Sequence, residues 1–285
     1  MTLTRVAVLV VAVLASACSP SGDERHFTLQ GQILSITPNR QEATIKHDEI
    51  KGLMPAMTMP YKVKETRLLD GLTAGDLISA KLTIVPNDAF LTEVKKVGIA
   101  PLEKAAADAP AASSGFELLK PGEKAPDTAF VDQDGKPRRF SSFEGRTVVL
   151  TFIYTRCPMP TFCPLMDRHF AAIQEQLKTN PALRGKRVHL VSVSFDPATD
   201  TPAVLKKHAK TLGADPALWT FLTGDRDEVD RFAARFGVSV ARAMNDAQDI
   251  THNLRTAILD PQGRLVNIYQ GNEWTPDQVV RQLAN

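Results

Sequence analysis

The chain has 285 residues, 43% of them hydrophobic, with 34 Lys and Arg against 32 Asp and Glu. That length gives room for two domains with cores of their own, and the composition is that of a globular protein rather than of a disordered or membrane-spanning chain. The near-cancelling charges leave no basic footprint, so no nucleic-acid partner is expected.

The first segment, Met1 to Ala17, has a short n-region with Arg5, an apolar stretch from Val6 to Ala15 and small residues before Cys18. It reads as an export signal too short to span a bilayer. LASAC, residues 14–18, resembles the bacterial lipoprotein signal, which implies cleavage and lipidation at Cys18 and a tether over 18–26. A soluble cleaved signal is the alternative. Both put the mature chain outside the cytoplasm, and the first anchors it to a membrane.

From 27 to 100 the pattern is short strands and turns. FTLQGQILSI, EATIKH, MTMPYKV, ISAKLTI and FLTEVKKV alternate or are rich in β-formers, with turn signals at Thr37 to Arg40 and Val85 to Asp88. Five such strands fit a small closed all-β barrel of the OB type. Met57 and Met59 are two apart and share a strand face, while His47 closes the preceding strand. Two thioethers and an imidazole suit Cu(I), a soft ion, and thioethers carry no proton to lose. The alternative is that Met54, Met57 and Met59 are flexible core filler.

The segment His47 to Tyr61, HDEIKGLMPAMTMPY, is similar to the CusF-like periplasmic copper-binding domain. His47, Met57 and Met59 match that family's histidine and Met-Thr-Met. The family places a tryptophan just ahead of the methionines; here Met54 stands near that point, either as a further ligand or as a shield.

Residues 101–115 change to Ala, Pro, Asp, Lys and Ser with no apolar face, and read as an exposed linker of about 45 Å when extended. From 116 to 285 the signals alternate. After a hairpin around Asp132 to Gly135, strands are expected at Thr147 to Thr155, Val188 to Phe195 and Trp219 to Leu222. Helices are expected at Pro164 to Leu177, Pro202 to Leu212 and Asp227 to Phe236. A hairpin, Arg255 to Leu259 with Leu265 to Tyr269, and a helix at Pro276 to Leu283 close the chain. Parallel βαβ units followed by an antiparallel hairpin and a terminal helix describe an α/β thioredoxin-like domain.

Once Cys18 is set aside, Cys157 and Cys163 are the remaining thiols, flanking a loop with two prolines between a strand and a helix. Closing so short a loop adds little stability, so a metal or redox role outweighs a structural disulfide. Cys163 is expected at the first helical turn, where unpaired N–H groups favour thiolate. His252, after a polar stretch from Arg242 to Ile250 that reads as a loop, is the third candidate. Two thiolates and an imidazole serve Cu(I) or Cu(II). Met159, between the cysteines, reads as a solvent-facing loop residue, and His169, His189 and His208 as structural or exposed.

TFIYTRCPMPTFCPLM, SVSFDPATDTPAVLKKHA and THNLRTAILDPQGRLV together resemble the Sco/SenC family of thioredoxin-fold copper proteins. The resemblance implies that Cys157, Cys163 and His252 are copper ligands and that Asp196 and Asp200 form the family's acidic loop. The family spaces its cysteines by three residues, against five here. It further implies copper delivery to the copper-A subunit of cytochrome c oxidase, or reduction of that centre's cysteines, with other periplasmic copper carriers as partners. A thiol-disulfide oxidoreductase that uses Cys157 and Cys163 as catalytic residues, and a copper store, are the competing readings.

Overall fold

The computed structural model describes residues 24–102, 117–243 and 246–285. The export segment, Cys18 with most of its tether, and all but the first two residues of the 101–115 linker lie outside the described residues. Among the described residues no helix is long and apolar enough to cross a membrane.

The first half is a closed five-stranded barrel of β1 (Arg25–Ile36), β2 (Glu42–His47), β3 (Met57–Val63), β4 (Asp76–Val85) and β5 (Asp88–Ile99), in the order β1-β2-β3-β5-β4. One strand must serve two neighbours for so small a sheet to close. The long β1 does this, pairing with both β2 and β4, and a register shift between Ile33 and Ser35 lets it bend. Alternation sends Leu29, Ile33, Ala43, Ile45, Leu82 and Leu91 into an interior that excludes solvent entirely. The parallel pairing of β3 with β5 completes the ring.

The second half is a seven-stranded sheet. Its elements are β6 (Ala129–Asp132), β7 (Pro137–Arg139), β8 (Thr147–Ile153), α1 (Cys163–Thr179), β9 (Val188–Ser194), α2 (Pro202–Thr211), β10 (Trp219–Thr223), α3 (Arg226–Arg235), β11 (Val240–Ala243), β12 (Asp246–His252), β13 (Arg255–Leu259), β14 (Leu265–Gln270) and α4 (Pro276–Ala284). The sheet order is β14-β13-β8-β9-β10-β6-β7, with β8, β9 and β10 parallel and the flanking pairs antiparallel. This is the thioredoxin-like arrangement. TVVLTFI and VHLVSVS are buried almost throughout because helices cover both faces of the central strands. Met166, Phe170 and Ile173 recur on one face of α1 and are all fully buried, each side chain contributing about 1.5–3 kcal/mol.

The polar stretch expected to be a loop before His252 is instead paired backbone. β11 and β12 form a two-stranded ribbon apart from the main sheet, with His252 opposite Val240. Such a ribbon can rest on backbone pairing, so its sequence need not show the apolar alternation by which strands are recognised.

Candidate metal centres

In the barrel, the register of β2 against β3 sets His47 opposite Met57 and Ile45 opposite Met59. Gly31 of β1 pairs with His47 from the other side, and a side-chain carbon there would lie 2.7 Å from the His47 Cα and 2.5 Å from the Lys46 carbonyl. Glycine is therefore required for the histidine to sit this close to its neighbouring strand.

His47 is 2% exposed, and its Nδ1 donates to the Asp48 carbonyl at 2.7 Å. That bond fixes the tautomer with the lone pair on Nε2, a buried atom that has no hydrogen-bond partner. Burial also pushes the imidazole pKa below its usual value, so the ring stays neutral. A desolvated, unprotonated nitrogen on the same face of the β2–β3 pair as two thioethers fits a soft cation. Met54 differs, because its sulfur accepts a hydrogen bond from the Tyr61 hydroxyl at 3.7 Å. The Tyr61 ring in turn meets the His47 ring edge to face.

The second group forms at the carboxyl ends of β8 and β9. Asp200 accepts from the Thr155 N–H and from the hydroxyls of Thr155 and Ser194, tying the exit of β8 to β9. Arg156 pairs with Asp196 at 2.7 Å. The two acidic residues thus brace the base of the cysteine loop. The far side of the loop is held by Asn272, which donates to the Thr161 carbonyl at 2.9 Å.

His252 ends β12, and its Nδ1 donates to the Asn253 carbonyl at 3.0 Å. Asn253 is itself locked by bonds to the Ser239 N–H and the Gly237 carbonyl. The rings of Phe195 and Tyr154 lie 4.6 and 5.5 Å from the imidazole. These supports leave Nε2 directed at the Cys163 sulfur, 3.6 Å away. The fold therefore brings together the three residues named from sequence.

The two thiols are free, and they differ. Cys157 is held well below the usual thiol pKa by hydrogen bonding with Cys163 and by His252. Cys163 is pushed well above it by burial and by the neighbouring Cys157 sulfur. The expectation that the helix terminus makes Cys163 the thiolate is thus reversed, since complete desolvation of that sulfur outweighs the dipole. Among the described residues no three His, Cys, Asp or Glu side chains already stand at coordination geometry. An ion would have to draw the sulfurs and the imidazole inward, displacing the Cys163 proton.

Met159 also departs from expectation. It is 5% exposed and packs in the barrel's cluster with Met54 and Met59 rather than facing solvent. Barrel and sheet meet here across one cavity of about 700 Å3, lined by Met54, Met57 and Met59 on one side and by Cys157, Met159 and His252 on the other. Sequence reasoning missed Gly31, Asn253 and this placement of Met159. A glycine inside a strand pattern and a methionine between two prolines were the available signals. His169 lies against Trp274, His189 donates or accepts at Thr220, and His208 pairs with Asp167, all as structural groups.

A small barrel joined to a thioredoxin-like sheet, each presenting soft donors, defines a metal-handling protein of two modules. The SCO1/SenC family profile matches residues 119–285, and the chain belongs to that family. The profile of the copper binding periplasmic protein CusF matches residues 26–96. Copper is the metal of both families. The SCO1 protein homolog of Bacillus subtilis is 31% identical over 158 residues, spanning 55% of this chain and 79% of that protein. The mitochondrial SCO2 homolog of Mus musculus is 26% identical over 165 residues, 55% of this chain and 60% of its own length. The crystal structure of a SCO1/SenC family lipoprotein from Bacillus anthracis is 28% identical, with a TM-score of 0.50 over 58% of this chain and 96% of that one.

Proposed function

We propose that this protein is a periplasmic, membrane-anchored copper chaperone in which a Met/His site feeds a Cys/Cys/His site. His47, Met57 and Met59 take up Cu(I); Cys157, Cys163 and His252 receive it and deliver it to the copper-A subunit of cytochrome c oxidase. Sco proteins as a family serve copper delivery and cytochrome oxidase assembly. The division of labour follows the chain: residues 1–17 export it, Cys18 carries the lipid, 27–100 capture, 101–115 link and 116–285 deliver. Other periplasmic copper carriers supply the ion.

The observation that carries this reading is the shared cavity, onto which Met57 and Met59 open from one side and Cys157 and His252 from the other. A linker holds the two sites at high effective concentration, so transfer needs no tight encounter between separate proteins. Thioethers bind Cu(I) without a proton, whereas thiolates bind it more strongly, which gives the transfer its direction. The test is to add one equivalent of Cu(I) to the whole protein and follow the copper–thiolate absorption. The band should grow after binding is complete, and a Met57→Leu/Met59→Leu variant should lose the early phase. A band that grows at the same rate in both would defeat the relay.

A second reading, thiol-disulfide exchange, is favoured by the opposite pKa shifts of the two adjacent thiols, Cys157 lowered and Cys163 raised. His252→Ala separates the two, because it weakens copper binding at the sheet centre and leaves exchange, while Cys163→Ser removes both from that centre.

A further inference from the structure

The five residues between the cysteines build something more than a spacer. Pro158 and Pro160 each bias the residue before them toward extended backbone, and Cys157 and Met159 both lie outside helix and strand. In such a stretch residues two apart point the same way, and both side chains line the cavity between barrel and sheet. Met159 is tied to each centre by a different part of itself. Its carbonyl accepts the Phe162 N–H at 3.1 Å and lies 3.8 Å from the Cys157 sulfur, while its side chain is buried in the barrel's cluster. Arg168 of α1 holds this arrangement by donating to the carbonyls of Pro160 and of Asn87 in the β4–β5 turn.

Resting on the relay reading, we propose that Met159 is a copper-transfer ligand, a thioether supplied by the sheet module to an ion held by His47, Met57 and Met59 of the barrel. A loop methionine buried among methionines of another module, and covalently two residues from the receiving thiol, is placed to hold the ion while it changes hands. The step is a ligand exchange. A Cu(I)–sulfur bond to Met159 forms as the bond to His47 Nε2 breaks, and then a bond to the Cys157 thiolate replaces those to Met57 and Met59. Copper stays monovalent throughout, and any proton a cysteine carries leaves to solvent as its sulfur binds.

The experiment uses the full chain with Cys157→Ser and Cys163→Ser, loaded with one equivalent of Cu(I), so that the ion stays on the barrel side. X-ray absorption should count one sulfur fewer when Met159→Leu is added, a swap that conserves volume and packing. With Met159 kept, its 13C-labelled methyl resonance should shift on copper addition together with those of Met57 and Met59. This second readout does not depend on any variant at 159. In the chain with both cysteines intact, Met159→Leu should slow growth of the copper–thiolate band about tenfold without changing its final height. An unchanged sulfur count and an unshifted methyl would overturn the role of Met159 and leave the relay standing. Failure of the cysteine-free chain to bind Cu(I) at all would overturn both.

Discussion

On the proposed relay, the barrel and the sheet would each hold a soft ion, with opposite chemistries. The barrel donors, two thioethers and an imidazole kept neutral by burial, need lose no proton to bind at neutral pH. The sheet centre is built from two thiols with pKa values driven apart, Cys157 lowered by Cys163 and His252 and Cys163 raised by burial, beside an imidazole fixed by its bond to the Asn253 carbonyl. The first should therefore be indifferent to pH and oxidant over a range in which the second responds to both. A pair of sites that differ in this way can pass an ion in a direction set by the surroundings.

The comparison is broken most severely by removing a thiol. Cys157→Ser or Cys163→Ser should lower the copper content from about two ions per chain to about one, the remaining ion being bound without thiolate absorption. Oxidising the thiols should do the same to the unsubstituted chain. Elemental analysis after dialysis decides it, and loss of both ions would show that the barrel does not bind on its own.

His252→Ala should weaken the sheet centre on the order of 100-fold, about 3 kcal/mol, and leave the barrel centre as it was. Competition against a Cu(I) chelator gives both constants. A smaller effect is expected from acid. Because burial raises Cys163 above the usual thiol range, each ion bound there near pH 7 releases one proton, so affinity should fall about tenfold for each pH unit lost. Cys157, lowered by Cys163 and His252, adds less to that slope, and the barrel centre should show almost none. A flat profile at the sheet centre would contradict the assignment of the two thiols.

The least effect on copper, and a measurable one on stability, should come from the supports. Asp200→Asn disturbs three hydrogen bonds at the exit of β8, and unfolding by denaturant should register a loss of about 1–3 kcal/mol. His189 gives the folded sheet a separate acid limit. Burial and the nearby Arg146 lower its pKa from 6.5 to about 4, so the unfolded chain binds its proton first. Stability should decline as pH falls from 6.5 towards 4, on the order of 3 kcal/mol in all, and His189→Gln should flatten that decline.

Much of this was legible from the chain. EATIKH and MTMPYKV occupy the strands expected of them, because alternation over a closed barrel leaves one face apolar and the other polar. The βαβ order of the second half follows from apolar runs and helical caps in the same way. Less legible was the ribbon that carries His252, whose polar sequence gives no period to read. The protonation of the two cysteines was misjudged, since a helix terminus can be recognised in sequence but the depth at which a sulfur is buried cannot.

By itself the sequence determined two modules and the donors each owns, because strand and helix periods, turn residues and the local order of His, Met and Cys are properties of neighbouring residues. Only the tertiary structure decided that Met159 lies among the barrel's methionines, that His252 Nε2 meets Cys163, and that both centres open on one cavity. Those contacts join residues 89 or more positions apart, and their distances are set by how whole surfaces pack, which no local pattern encodes.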